Sequence, residues 1–371
     1  MSFTDEDLER YSRQVVLEDI GFEGQEKIRN STITVVGTGG LGSPIALQLT
    51  AMGIGKLRLV DRDVIEISNL HRQILFSPED VGLPKAEVAV KKLQKLNPDV
   101  KFETLTSSLN DDSAEYIIKG SDIVIDGLDS IYARYALNRA CLKLNIPYIF
   151  GSAIETTGSA STFIPKNTPC LECLYPNLRD EDLPKCGTEG VHPSVLTVVS
   201  SVQVSEAIKL IVGKEPSLAG NLFYADIRDL SFDKIKIARQ PDCKACGNKA
   251  NISEQVLPRK LVEEICGRER GKSVHVITPK EDLQLDIAKV ARDLNIRNLR
   301  IRAIGNHGIT FSYDPEINVS LVKSGVATVV GANTEQRALE VFDDLVVSGL
   351  KTPLNKVDPK FNVVLASLAH N

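Results

Sequence analysis

Four cysteines stand in two C-x-x-C pairs, Cys170/Cys173 in PCLEC and Cys243/Cys246 in PDCKAC, with 69 residues between the pairs. Thiolates presented two by two suit a tetrahedral structural zinc site closed by four sulfurs. One such pair reads equally well as a redox dithiol or as unpaired thiols; the second pair turns the balance to zinc. Upstream lies Gly37-Thr38-Gly39-Gly40-Leu41-Gly42, a G-x-G-x-x-G frame. There the first glycine permits a tight turn, the second lets backbone approach a phosphate, and the third lets a helix pack closely. Asp61 comes 19 residues after Gly42, where a carboxylate meets ribose hydroxyls. The frame alone specifies a nucleotide or dinucleotide, most often NAD.

The residues beyond Asp61 are unlike those of a dehydrogenase. The run Ser68-Asn69-Leu70-His71-Arg72-Gln73 sets an amide, an arginine and a glutamine just after the ribose position, and Lys85 stands in VGLPK at the opening of a helix. Cations there would neutralise a triphosphate, whereas a dinucleotide pyrophosphate is usually held by helix N–H groups. Each cation alone could equally be a solvated surface charge. Asp126 and Asp129 close an apolar run, DIVIDGLD, and carboxylates beside phosphates suggest magnesium. The plainer alternative is a helix cap, since Asp129-Ser130 precedes a helical stretch.

The elements that position these residues are legible. ITVVG (33–37) is a buried strand ending in glycine; a helix through SPIALQLTAMG and a strand KLRLVD complete a β-α-β unit. EVAVKKLQKLN is a helix, VKFETL and DIVIDGLD are strands, and ARYALNRACLKLN is a helix leading to the strand PYIFGSAI. This is a Rossmann-like, doubly wound α/β sheet. TGSASTFIP, NLFYADIR and LSFDKIKIAR read as an antiparallel extension, with a long helix, SVLTVVSSVQVSEAIKLIVG, between them. Beyond Gly247 the pattern becomes a small α+β unit. Helices are expected at VLPRKLVEEIC, LDIAKVARDLN and TEQRALEVFDDLVVS, and strands at SVHVITP, NLRIRAIG, GITFSYD, INVSLVK and VATVVG. The division falls at residues 1–249 and 250–371, and no internal repeat is visible.

A chain of 371 residues, 42% hydrophobic, holds two or three cored domains. A net charge of −5 argues against a nucleic-acid partner. No apolar run reaches the roughly 18 residues of a membrane helix, and the acidic opening MSFTDEDLERY is not a signal peptide. Thiols in metal-site spacing imply a reducing compartment, hence the cytoplasm.

In order, Arg13 in YSRQ, GTGGLG, the aspartates Asp61 and Asp63 in D-R-D, SNLHRQ, the lysine after VG-x-P, DGLDS, C-x-x-C, Cys186 and the second C-x-x-C resemble the MoeB/ThiF family over about residues 8–247. That family also forms the adenylation core of the ubiquitin-activating enzymes. The resemblance implies a homodimer that uses ATP and magnesium to adenylate the C-terminal Gly-Gly of a ubiquitin-like sulfur carrier protein of MoaD or ThiS type. It assigns Gly37, Gly39, Gly40, Gly42, Asp61, Asp63, Ser68, Asn69, Arg72, Gln73, Lys85, Asp129 and Ser130 to the nucleotide site. It makes Arg13 a triphosphate ligand donated to the partner subunit, and Cys186 the reactive thiol of a crossover loop. Two departures matter: the family commonly has Asp-Asn at Asp129-Ser130, and His192 stands near Cys186, where it either lowers the thiol pKa or is solvent-exposed.

The C-terminal stretch is similar to a module appended to some bacterial and archaeal members. It is not read as a rhodanese, because Cys266 is expected to end a helix, so the sulfur donor would be a separate protein. The alternatives are an activating enzyme that conjugates its carrier through a Cys186 thioester, an NAD-dependent oxidoreductase, and a non-catalytic scaffold. Arg13, Arg72, Lys85 and Asp129 together weigh against the last two. The carrier's pathway, whether molybdopterin, thiamine or tRNA thiolation, stays open.

Overall fold

A computed structural model describes residues 3–183, 189–248, 250, 260–265 and 272–368. Three short helices open the chain: α1 (Asp5–Arg10), α2 (Ser12–Val15) and α3 (Gly21–Asn30). The β-branched runs then become parallel strands β1 (Thr32–Val36), β2 (Lys56–Val60), β3 (Lys101–Leu105), β4 (Ile123–Asp126) and β5 (Tyr148–Ile154). Parallel neighbours require crossovers. Those are α4 (Gly42–Ala51), α5 (Lys85–Leu96), α6 (Ala114–Ile118) and α7 (Ile131–Leu144). Antiparallel β6 (Thr157–Phe163), β7 (Asn221–Asp226) and β8 (Ser231–Lys236) extend the sheet to eight strands in the order β3-β2-β1-β4-β5-β6-β7-β8.

Covered on both faces, the central strands are mostly apolar, with Thr34, Arg58 and Asp126 buried among them, and their alternation feeds two cores. Val35 and Ile125 point to the side that holds α4, α5 and the long helix, while Val36 and Val124 point to the side that holds α6 and α7. The chain runs outward from β1 through β2 to β3, then returns to place β4 on the other side of β1. The carboxyl ends of β1 and β4 therefore flank the topological switch point, where ligands bind in such sheets.

After the single turn α8 (Leu171–Leu174), the helix α9 (Pro193–Val212) packs across β5, β6 and α4. By length and composition alone α9 is long and apolar enough to cross a membrane, although its serines, Gln203, Glu206 and Lys209 leave no continuous apolar run of that length. Its apolarity has a different cause: it is the central core helix, burying Val195, Leu196, Val199, Val204 and Ala207. It also buries Glu206, whose carboxylate accepts from Leu218 N (2.7 Å) and Thr162 Oγ1 (3.0 Å).

The second sheet is wholly antiparallel, in the order β11-β12-β13-β14-β10-β9. Its strands are β9 (Val262–Ile265), β10 (Val274–Ile277), β11 (Arg300–Ile304), β12 (Gly308–Ser312), β13 (Asn318–Val322) and β14 (Ala327–Val330). Helices α10 (Ile287–Ile296) and α11 (Glu335–Phe342) close a separate core containing Leu294, Phe311, Val329 and Phe342. The tail adds α12 (Leu354–Val357) and α13 (Phe361–Leu368). The helix expected at VLPRKLVEEIC is corrected: Val262–Ile265 is a strand paired with β10. Sheet pairing overrides helix propensity in this short segment. The ground for setting a rhodanese aside, a helix ending at Cys266, falls with it, and Cys266 itself lies outside the described residues.

Candidate active site

The four expected metal ligands meet. Cys170 is the N-cap of α8 and Cys173 lies within it, Cys243 and Cys246 lie in the loop after β8, and the four Sγ atoms fall within 4.8 Å of one another. Cys170 Sγ is 3.7 Å from Cys243 Sγ, and Cys173 Sγ is 3.4 Å from Cys246 Sγ. The edge of a tetrahedron built on ~2.3 Å metal–sulfur bonds is about 3.8 Å, so this group fits a metal ion. Hydrogen bonding among the thiols splits their acidities, holding Cys243 below the ordinary thiol range and Cys170 above it. The knuckle is tied to α7 by Arg139 Nε donating to Glu172 Oε1 (3.0 Å) and by Leu171 N donating to Asn138 Oδ1 (3.2 Å).

The glycine turn caps the switch point. Gly37 has φ +87°, and a Cβ there would lie 2.4 Å from Gly127 O; one on Gly42 would lie 1.8 Å from Gly37 O. Backbone packs directly on backbone, which only glycine allows. Asp61 serves this turn: Oδ2 accepts from Thr38 N (2.8 Å) and Thr38 Oγ1 (2.9 Å), and Oδ1 accepts from Asp63 N (2.8 Å). Burial pushes the Asp61 carboxyl above the usual carboxylate range against the pull of Lys85. Beneath the turn lies the buried Gln73, whose Oε1 has no hydrogen-bond partner among the described residues; its Nε2 is 3.6 Å from where a Cβ on Gly39 would sit. An orphaned buried acceptor of this kind fits a ligand in the crease.

The polar residues beyond β2 form one wall. Lys85 opens α5 and is buried, its Nζ 2.9 Å from Asp63 Oδ2. Asn69 is buried and its Oδ1 accepts from Glu66 N (3.1 Å), fixing the turn Ile67–Asn69. Arg72 is half-buried, held by Ser68 O (2.8 Å), while Ser68 is exposed.

The two aspartates at and after the end of β4 part company. Asp126 is fully buried and accepts from Arg134 Nε (3.0 Å), Tyr148 Oη (2.6 Å) and Leu128 N (2.7 Å). That saturated network makes Asp126 a structural carboxylate, against its expected place beside phosphates. Asp129 is exposed and free to meet a cation. Ser130 is the N-cap of α7, accepting from Ala133 N (3.3 Å) and donating to Asp180 Oδ2 (2.8 Å). His192 is exposed and caps α9 through Nδ1, which accepts from Ser194 N (3.2 Å). Cys186 lies outside the described residues.

Arg13 stands elsewhere. It is exposed on α2, and the neighbouring Tyr11 is pinned where α4 and α5 end, against Gly53 and within 2.8 Å of Asn97 Nδ2. The glycine turn and Lys85 are at the opposite ends of those helices. Helices of ten and twelve residues are about 15–18 Å long at 1.5 Å per residue. Residues not singled out from the sequence are Thr38, Gly127, Arg134 and Arg62. Burial opposes the Arg62 charge, but Glu263, Asp63 and Asp129 outweigh it and hold the guanidinium above its ordinary range. Gly127 stands inside DGLD at a strand end, Thr38 inside the glycine frame and Arg62 inside D-R-D; Arg134 carries no spacing signal.

Residues 11–245 match the ThiF family. The sulfur carrier protein adenylyltransferase of Thermus thermophilus is 38% identical over 262 residues, covering 69% of this chain and 97% of that one. The adenylyltransferase and sulfurtransferase MOCS3 of Culex quinquefasciatus is 32% identical over 347 residues, covering 91% of this chain and 78% of the relative. The SAMP-activating enzyme E1 of Haloferax volcanii is 38% identical over 241 residues, covering 65% of this chain and 89% of its own length. Among solved structures, E. coli MccB with succinimide superposes with a TM-score of 0.59 at 25% identity, over 67% of this chain and 75% of that one.

Proposed function

We propose, since this chain belongs to the ThiF family, that it adenylates the C-terminal Gly-Gly carboxylate of a ubiquitin-like sulfur carrier protein. It is an adenylyltransferase, as its relatives are named. One observation carries the reading: the glycine turn, the Lys85–Asp63 pair and the exposed Asp129 follow the carboxyl ends of the neighbouring strands β1, β2 and β4. A carrier carboxylate oxygen attacks the α-phosphorus of ATP, and the bond to the β-phosphate oxygen breaks, so pyrophosphate leaves with the electron pair. Positioning and electrostatics dominate such a step. Arg72 and Lys85 balance the phosphate charge, Asp61, Asn69 and Gln73 line the nucleoside side, and Ser68 and Ser130 border the opening. Asp129 would hold magnesium, which supplies charge neutralisation to the phosphates. Carrier-dependent exchange of labelled pyrophosphate into ATP tests the reading, and NAD binding without ATP binding would replace it with an oxidoreductase.

The assembly we infer is a homodimer in which Arg13 completes the partner's site. Exposed Val16, Leu17 and Phe22 around Arg13 support a subunit contact there. Residues 1–249 form the adenylation unit and 250–371 an appended one. The cytoplasm suits its thiols, and the sulfur donor we propose is a separate protein, a reading that no longer rests on Cys266.

The metal is zinc, with a structural role. Purified protein is expected to carry one zinc per subunit, and Cys173→Ser to lower thermal stability more than it weakens ATP binding. Protein without zinc, or zinc retained after replacing both Cys170 and Cys243, would refute the assignment.

Cys186 acts after adenylation. Cys186→Ala is expected to keep pyrophosphate exchange near wild type, because no thiol enters that step, and to lose a thiol-sensitive carrier adduct. The thiolate would attack the acyl adenylate and release AMP. If wild-type protein forms no adduct with ATP and carrier on a non-reducing gel, the thioester falls and the adenylate passes directly to the sulfur donor. The adduct is also the entry to the second reading, conjugation of the carrier to targets.

A further inference from the structure

Lys85 sits on two segments zipped together, residues 61–66 and 82–87. Lys85 N donates to Asp63 O (3.0 Å), Ile65 N to Leu83 O (2.9 Å) and Gly82 N to Ile65 O (2.8 Å). The Lys85–Asp63 ion pair forms at the end of this unit. The second sheet grips both segments. On the first, Arg62 Nη2 is 2.7 Å from Glu263 Oε2, and Val64 is buried among Val276, Val322 and Val326. On the second, Gly82 O accepts from Thr310 Oγ1 (2.7 Å), and Glu87 accepts from the backbone of the β11–β12 turn. Its Oε1 takes Asn306 N at 2.7 Å and its Oε2 takes His307 N at 2.9 Å.

Glu87 is available for this by local chemistry. It is the third residue of α5, the position from which a glutamate ordinarily reaches back to the N-cap amide. The N-cap here is Pro84, which has no N–H, and no side-chain cap forms. The carboxylate turns to the other sheet instead. The approach is close enough that a Cβ on Gly305 would lie 2.5 Å from Glu87 Oε2. Burial opposes the Glu87 charge, but the bonds from His307 and Asn306 outweigh it and keep its carboxyl below the usual range.

We propose that the second sheet is a working part of the nucleotide site: it clamps residues 82–87 through Glu87 and Thr310, and so fixes Lys85 where the triphosphate binds. Glu87 is then a positioning residue that touches no phosphate. The inference rests on the adenylation reading for Lys85.

The test is a double-mutant cycle on ATP affinity in the full chain, with pyrophosphate exchange measured beside it. Glu87→Ala is expected to weaken ATP binding about tenfold, which is about 1.4 kcal/mol. In a Lys85→Ala background the same change should have less than about a twofold effect, because the group it positions is gone. Thr310→Val, which keeps the side-chain shape and removes the bond to Gly82 O, should weaken binding in the same Lys85-dependent way and decides the matter if Glu87→Ala does not fold. A folded Glu87→Ala protein with wild-type ATP affinity, or equal weakening with and without Lys85, overturns the proposal and leaves the adenylation reading intact. Wild-type protein that binds ATP but exchanges no pyrophosphate sinks the adenylation reading, while the binding cycle still decides whether the clamp exists. Wild-type protein that does not bind ATP sinks both.

Discussion

Asp129→Ala is expected to abolish carrier-dependent pyrophosphate exchange while leaving the fold intact. Two carboxylates stand at the carboxyl end of β4, but only one is available. Asp126 is fully buried and committed to Arg134, Tyr148 and Leu128 N, so it cannot take over as a cation ligand. Asp129 is exposed, at the N-terminal side of α7 and within the electrostatic reach of Arg62. Its loss therefore removes the proposed metal ligand without unpairing a buried group, and thermal stability should change little. Arg72→Ala should be milder, cutting exchange by at least about tenfold, or ~1.4 kcal/mol of transition-state stabilisation. Exchange at the wild-type rate by Asp129→Ala protein would remove Asp129 from the site.

Subunit mixing should give the second large effect. Arg13→Ala and Asp129→Ala homodimers are each expected to be inactive, and their mixture to recover activity. In a mixed dimer one site regains both its own Asp129 and the partner's arginine. The support is geometric. Tyr11 anchors the arm at the far ends of α4 and α5, about 15 Å or more along the helices from the glycine turn. An arginine side chain does not span that distance within its own subunit. Exchange of subunits would be verified with differently tagged chains. No recovery despite confirmed exchange would mean that Arg13 acts in its own subunit or only structurally.

Much of this protein could be read along the chain because its signals are local. Strand–turn–helix spacing around Gly37 and Gly42, the two cysteine pairs and the short buried runs of β1, β2 and β4 are set by backbone sterics and near-neighbour patterning. The segment at Val262–Ile265 failed for the same reason: Glu263 and Glu264 beside Leu261 favour a helix locally, and pairing with β10 is a non-local energy that no window contains. Tertiary structure alone decided between Asp126 and Asp129, since burial and the Arg134 and Tyr148 partners arrive from α7 and β5. It alone set Arg13 away from its own glycine turn, because helix lengths fix that separation. It alone brought Glu263, Asn306 and His307, some two hundred positions downstream, against Arg62 and Glu87. Sequence determined which chemistry the chain carries; packing between its two sheets determined which groups are held in place to perform it.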